Sequence, residues 1–380
     1  MHDAGIFRAA NSRRCSRTVQ VGSLQLGGGA PVRVQSMTNT PTEDVRRTID
    51  QIKALENAGC EIVRVAVPTL EAVKALPALK SAMTAPLVAD IHFDYRLALE
   101  AINHGADKIR INPGNIGKAD RVREILREAR VNHIPVRIGV NAGSLEKGIL
   151  RKHEGITAGA LAESALKQIR LCEDAGFEDL VVSIKASSIR LMVEANRILA
   201  GSVDYPLHLG VTEAGAAPSG IIRSAVGLGI LLDQGIGDTI RVSLTGEPVQ
   251  EVATAYEILK SLGLRRRGLT VISCPTCGRT HADILAVVQA VEKALGHIRT
   301  PLTVAVMGCA VNGPGEAREA DIGVACGPGR ALLFRKGCVI GKISEDEIVR
   351  VLVQEVNRLE KKQDHSAEKD LPAGEKEKSR

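Results

Sequence analysis

PLVADIHFDYRLALEAINHGADKIRIN, residues 86–112, holds one full turn of the pattern that decides the fold. PLVADIH (86–92) is a short apolar run with an acid and a histidine near its end. A helical stretch follows and closes at Gly105, and KIRIN (108–112) is the next strand. Two strands joined through a helix form a parallel βαβ unit. Upstream, VRVQSMT (32–38) and EIVRVAV (61–67) read as strands. Downstream lie PVRIGVN (135–141), DLVVSIKA (179–186), PLHLGVTE (206–213) and DTIRVSLT (238–245). Helical patterns such as EDVRRTIDQIKALENAG (43–59) and ALAESALKQIRLCEDAG (160–176) separate them. Gly59, Gly105, Gly176, Gly235 and Gly263 stand where helices end, as a left-handed C-cap requires. Eight strand–helix units predict an α/β fold, a (β/α)8 TIM barrel over residues 1–264. A doubly wound sheet would carry G-x-G-x-x-G after its first strand. Here the glycine cluster at 27–29 precedes that strand and no such motif follows it.

Beyond residue 265 the pattern changes. LTVISCPTCGR is a strand entering a cysteine turn, and ADILAVVQAVEKALG is an amphipathic helix. LTVAVMGCAVNGPGEAREADIGVAC is a strand, a Gly-rich loop and a strand. ALLFRKGCVIGKI (331–343) reads as a hairpin. A last helix begins at Ser344, whose capping box is completed by Glu347. A small α+β domain over 265–362 is expected, then a disordered charged tail over 363–380.

Composition narrows the function. The formal net charge is +6, aromatic residues are 2% and Trp is absent. Single-strand nucleic-acid binders stack bases on aromatics, so nucleic acid is not the expected partner. There is no apolar run long enough to span a membrane and no signal-peptide pattern. Eight cysteines without an export signal imply a reducing, cytoplasmic setting. Thiols there serve as ligands, catalysts or buried apolar groups.

Residues two apart on a strand share a face. By that parity Asp90 goes with His92, Arg110 with Asn112, and Arg137 with Gly139 and Asn141. Ser183 goes with Lys185, His208 with Gly210 and Thr212, and Arg241 with Ser243. Arg64 lies on the second strand. Barrel strands are buried on both faces, so Arg or Lys in five of them is costly unless paired or liganded. Arg64, Arg110, Arg137, Lys185 and Arg241 converge toward the C-terminal mouth, where such barrels bind substrate. Several guanidinium groups suit phosphate, and a diphosphate satisfies them better than one carboxylate. Any single one can instead form an internal ion pair. Asp90, His92, His208 and Glu213 are candidate proton donors and acceptors.

Cys274-x-x-Cys277 lets two thiolates from one turn reach one metal centre, and Cys309 follows in a Gly-rich loop. An iron–sulfur cluster is the expected occupant. The fourth ligand stays open between Cys326, Cys338 and Glu316. A four-Cys zinc site would normally show a second C-x-x-C, and a redox dithiol would show thioredoxin-like surroundings. Cys60 and Cys172 read as buried apolar groups, and Cys15 has no assigned role.

These residues sit in long motifs: VQSMTNT, CEIVRVAVP, ADIHFDYRLA, IRINPGNIG, VRIGVNAGSLE, LHLGVTEAG, RVSLTGEP, CPTCGRT and MGCAVNGPGEAREADIG. Through them residues 16–360 resemble the bacterial two-domain 4-hydroxy-3-methylbut-2-enyl diphosphate synthase family of the methylerythritol phosphate route to isoprenoids. The resemblance implies a TIM barrel followed by an iron–sulfur domain like those of sulfite and nitrite reductases. It implies one 4Fe–4S cluster per chain on Cys274, Cys277, Cys309 and Glu316. It also implies reductive opening and dehydration of 2-C-methyl-D-erythritol 2,4-cyclodiphosphate, with flavodoxin or ferredoxin as electron donor. Substrate-binding roles fall on Arg64, Arg110, Arg137, Asn141, Lys185, Arg241 and Ser243. Catalytic roles fall on Glu316, as the more labile cluster ligand, and on Glu213 and Asp90 for proton transfer. The family implies a homodimer in which one subunit's barrel faces its partner's cluster domain. The rival readings are a zinc-stabilised binder of a phosphorylated ligand and a cobalamin- or folate-binding barrel; the latter would leave the cysteine domain without a purpose.

Overall fold

The computed structural model describes residues 13–309, residue 315 and residues 317–369. The chain divides into two compact units, with the break between Arg265 and Arg266.

The first unit opens with a two-stranded hairpin, β1 (Val19–Val21) and β2 (Leu24–Leu26). Eight parallel strands follow: β3 (Arg33–Met37), β4 (Ile62–Ala66), β5 (Leu87–Asp90), β6 (Lys108–Ile111), β7 (Val136–Asn141), β8 (Leu180–Lys185), β9 (His208–Leu209) and β10 (Thr239–Ile240). Each from β3 to β8 pairs with the next, and β10 pairs with both β3 and β9. A bridge between Val182 and Leu207 joins β8 to the start of β9 and closes the ring. The eight expected strands therefore form the expected barrel.

The two faces of the wall are built differently. Val63, Val65, Leu87, Ala89, Ile109, Ile111, Val136 and Ile138 point outward and pack under the helices in one large core. Burying each branched side chain stabilises the fold by about 1.5–3 kcal/mol. On the inward face Ile62, Val88 and Val181 form an apolar layer with Val19, Val21 and Leu26 of the hairpin. One end of the barrel is thus covered by the hairpin; on β4, β5 and β8 the polar inward residues lie farther along the strand, while Lys108 stands level with Val88.

Helix ends follow local chemistry. Asp44, Thr69, Asp94, Thr157 and Ser188 cap helix N-termini through their side chains. Gly59, Gly105, Gly176, Gly235 and Gly263 all take positive φ, as their positions after helical runs predict. β9 and β10 are shorter than the sequence suggests. Pro206 has no N–H to give the ladder. After Leu209 the chain turns to other partners: Thr212 N–H donates to Ala186 and Thr245 N–H to Gly215.

The second unit is a five-stranded mixed sheet in the order β11 (Leu269–Ser273), β12 (Leu302–Met307), β13 (Ile322–Gly327), β14 (Arg330–Arg335), β15 (Cys338–Ser344). The first three strands are parallel and the last three antiparallel, so the expected hairpin is present. Helices Ile284–Leu295 and Ile348–Lys369 cover one face through Ile284, Val291, Leu295, Ile348, Leu352 and Val356. Ala305, Met307, Ala317, Ala320, Ala325 and Phe334 pack on the other. The capping box of Ser344 and Glu347 is formed. The last helix runs past residue 363, where the composition predicts disorder, because the sequence QDHSAEK still contains good helix formers. Residues 370–380 of the expected tail lie outside the described residues.

Candidate functional site

The inward side chains of the barrel assemble into a cationic mouth. Arg110 on β6 donates from Nη1 to Asp90 Oδ1 on β5 at 3.0 Å. Arg64 Nε on β4 lies 3.8 Å from Asp90 Oδ2, and His92 Nε2 lies 3.4 Å from the same oxygen. Arg137 on β7 donates to Gln35 Oε1 at 3.2 Å. Arg241, just past β10, has its Nε 3.5 Å from Glu251 Oε2. Met37 sits between two of these cations, its sulfur accepting from Arg64 at 3.0 Å and Arg241 at 3.6 Å.

Two inward glycines hold this packing open. A Cβ on Gly139 of β7 would lie 2.7 Å from Arg110 Nε, and one on Gly210 would lie 2.9 Å from Lys185 Nζ. Each glycine gives a neighbouring strand's cation room to lie against bare backbone. Arg64, Arg137 and Lys185 are buried. Burial is the main influence pushing all three below their ordinary ranges. For Arg137 and Lys185 the neighbouring arginines come next, and for Arg64 the Asp90 carboxylate opposes the shift. Burial alone would raise the Asp90 carboxyl, but Arg64, Arg110, Arg137 and His92 outweigh it and hold it far below the carboxylate range. Asp90 is thus an ionised anchor for arginines, and a carboxylate so held is a poor proton donor. Among the described residues the mouth cations pair with two acids, Asp90 and Glu251, while the third buried acid, Asp238, is engaged by Arg13 and Arg14; five cations against two acids attract anions.

The remaining expected residues fall as follows. Asn141 ends β7 opposite Lys185, and Ser243 lies two residues past Arg241; both are half-buried. Glu213 is exposed, on the loop after β9, with φ of 55°. His208 is fully buried, bonds Thr239 through Nδ1, and burial followed by Arg137 and Lys185 keeps its charged form disfavoured.

In the second unit the cysteines gather at strand ends. Cys274 follows β11 and Cys309 follows β12, and these strands are parallel neighbours. Gly308 N–H donates to Cys274 Sγ at 3.0 Å, and His281 N–H donates to Gly308 at 3.0 Å, which ties the two loops together. The Cys277 thiol is pushed down by the Arg279 backbone N–H and guanidinium, and Arg279 also feels Cys309. All three are free thiols. Among the described residues no three His, Cys, Asp or Glu side chains converge closely enough for a single metal ion; Glu316 lies outside them. Thiols with aligned donors at adjacent strand ends suit a sulfur-ligated cluster, which needs thiolates and N–H groups toward sulfur. Cys326 suits it poorly. It is buried among apolar side chains, and burial pushes its thiol up to about 11. Cys338 is exposed on β15, at the opposite edge of the sheet from β11. Cys60 and Cys172 are core residues, both thiols pushed up to about 12 by burial.

Residues 16–256 match the family model described as GcpE TIM-barrel domain, and residues 270–358 match GcpE protein C-terminal domain. The chain belongs to the GcpE family. Relatives carry the name 4-hydroxy-3-methylbut-2-en-1-yl diphosphate synthase (flavodoxin). That of Geobacter sulfurreducens is 54% identical over 344 residues, covering 90% of this chain and 98% of its own. That of Caldanaerobacter subterraneus subsp. tengcongensis is 53% identical over 351 residues, covering 92% and 99%. That of Clostridium acetobutylicum is 53% identical over 344 residues, covering 90% and 99%.

This GcpE chain also holds site residues that the sequence reading passed over. Glu251 is buried on helix Pro248–Ser261, accepting from Ser36 Oγ at 2.9 Å and from Leu244 N–H at 3.0 Å. Its signal was an acid on the apolar face of that helix, beside Val252, Ala255 and Leu259. Lys108 shares its face with Arg110, so strand parity alone could have found it; Gln35 and Met37 are placed inward by their register with Ile62 and Arg64 of the neighbouring strand.

Proposed function

We propose that this chain reductively opens and dehydrates 2-C-methyl-D-erythritol 2,4-cyclodiphosphate to (E)-4-hydroxy-3-methylbut-2-enyl diphosphate. The observation that carries the reading is the ring of Arg64, Arg137 and Lys185, all buried, with the half-buried Arg110 and Arg241, paired among the described residues with two acids, Asp90 and Glu251. A diphosphate supplies the missing negative charge. Family membership selects which diphosphate. Asn141 and Ser243 offer neutral donors at the rim.

Cys274, Cys277, Cys309 and Glu316 would hold a 4Fe–4S cluster, one per chain. When bound it supplies single electrons from a reduced donor, flavodoxin in keeping with the relatives' name, with ferredoxin as the alternative. The chain's own residues bind and orient. Asp90 fixes Arg110 and Arg64, Glu251 fixes Arg241, and the dry wall strengthens each contact. Glu213, exposed on its loop, is the better proton carrier of the two acids considered, since Asp90 stays ionised. Domain limits of 1–264 and 265–362, a cytoplasmic setting and a homodimer with a site shared between subunits complete the proposal. No helix among the described residues is long and apolar enough to cross a membrane.

The test is turnover of the cyclodiphosphate by anaerobically reconstituted protein with reduced flavodoxin. Zinc without iron, and no turnover, would favour the phospho-ligand binder instead. Sharing of the site is tested by mixing an Arg110→Met chain with a Cys274→Ser chain. Each alone is inactive, and mixed dimers with one intact site regain activity. No recovery after demonstrated subunit exchange counts against a shared site.

A further inference from the structure

The inward face of β6 carries a second cation below the mouth. Lys108 shares its face with Arg110 and stands in register with Val88 of β5. Val88 belongs to the apolar layer that the β1–β2 hairpin covers. Lys108 is fully buried, and its Nζ has no hydrogen-bond partner. Other buried nitrogens of the barrel interior also lack a hydrogen-bond partner, among them Gln35 Nε2, Arg110 Nε, Arg137 Nε, His208 Nε2 and Arg241 Nε. A lone ammonium in such a layer is strongly disfavoured, so the site holds an amine in need of a reason to charge.

The charged groups that bear on it are Arg137 on β7 and Arg64 on β4; Lys108 in turn bears on His208 of β9. The adjoining β5 position and the hairpin offer only apolar side chains, Val88, Val19, Val21 and Leu26. Asp90, the acid of β5, is already engaged by Arg110 and Arg64. Burial foremost, and then Arg137 and Arg64, drives Lys108 well below the ordinary lysine range. A polyanion in the mouth changes this balance, because its charge offsets the arginine field that opposes the ammonium.

We propose that Lys108 is a positioning residue one layer beneath the substrate, which takes a proton from solvent when a polyanion fills the mouth above it. The inference rests on the mouth being a diphosphate site. It makes anion affinity rise as pH falls, through a residue that does not touch the ligand, since binding and protonation must favour each other equally.

The experiment is calorimetric titration of the full chain with inorganic pyrophosphate, and separately with the cyclodiphosphate, near pH 8. Two buffers of different ionisation enthalpy give the proton count. Wild type should take up about one proton more per ligand than Lys108→Met, a difference in which the ligand's own titration cancels. Lys108→Met should bind roughly tenfold more weakly, the gain that protonation supplies when the lysine is neutral in the free protein and its bound-state pKa lies about one unit above the assay pH. Lys108→Arg, permanently charged, should restore affinity without the extra uptake. A packing role alone would lower thermal stability and leave the proton count unchanged. Equal uptake by wild type and Lys108→Met overturns the proposal while leaving the diphosphate mouth intact. Failure of wild type to bind either ligand overturns the mouth itself, and this inference with it.

Discussion

Replacing Asp90 by Asn isolates what holds the cationic mouth in shape. The side chain keeps its size and one carbonyl oxygen, but loses the charge that faces Arg110 at 3.0 Å and Arg64 at 3.8 Å. At an effective dielectric of about 20 these contacts correspond to roughly 5.5 and 4.4 kcal/mol of gross attraction. Desolvating the carboxylate offsets much of that, and removing one partner of a buried ion pair typically costs about 3–5 kcal/mol net. The introduced amide still accepts from Arg110, so the expected loss lies at the lower end, about 3 kcal/mol. For a barrel of this size that lowers the melting temperature by roughly 6–12 °C. The pH dependence carries the sign. The folded-state pKa of Asp90 is depressed, so its contribution is fully present above the unfolded value of about 3.9 and is lost as pH falls toward the folded one. The gap between wild type and Asp90→Asn should therefore be wide at pH 7 and shrink below about pH 4. Scanning calorimetry of the barrel transition at several pH values measures it, with Arg110→Met and the double variant completing a cycle. A gap of under about 0.5 kcal/mol at pH 7, the level of an ordinary surface change, would refute the anchor.

Other substitutions probe the remaining parts. Gly139→Ala sets a methyl 2.7 Å from Arg110 Nε; it should weaken pyrophosphate binding about tenfold through a strain of about 1–3 kcal/mol, and unchanged calorimetric affinity would show that the guanidinium simply moves aside. Glu251→Gln should loosen Arg241 and lower affinity for pyrophosphate with little change in secondary structure, read by titration and circular dichroism. Cys274→Ala, Cys277→Ala and Cys309→Ala should each lose iron and sulfide after anaerobic reconstitution, whereas Cys326→Ala should retain both; the opposite pattern would reassign the ligands. Lys108→Met should stabilise the fold most at low pH. The depressed lysine destabilises fully below its folded pKa, and that penalty fades as pH rises toward about 10.4. Denaturant titrations at pH 6 and pH 10 read the difference, and a constant gap would contradict it.

Much of this molecule was legible in its chain. Strand parity in KIRIN and PVRIGVN put Arg110 and Arg137 on the inward face, and the five glycines after helical runs marked where helices stop. These are local signals: side-chain alternation and left-handed backbone are set by a few neighbouring residues. Even the β1–β2 hairpin has its mark, VQV and LQL around Gly22 and Ser23, a two-residue turn that lies outside the repeated βα pattern.

What no local pattern contained was the partnership of side chains far apart in sequence. That Asp90 anchors both Arg64 and Arg110, and that Glu251 reaches Ser36 and Arg241, depends on how the ring of strands closes. The shortening of β9 and β10 arises in the same way, where their amides find loop carbonyls that only the folded barrel brings near. Lys108 shows the division most sharply. Parity with Arg110 was enough to place it inside, though the reading of the chain left it out, but its lack of an acceptor is a property of everything packed around it, since burial energy depends on the whole surrounding shell.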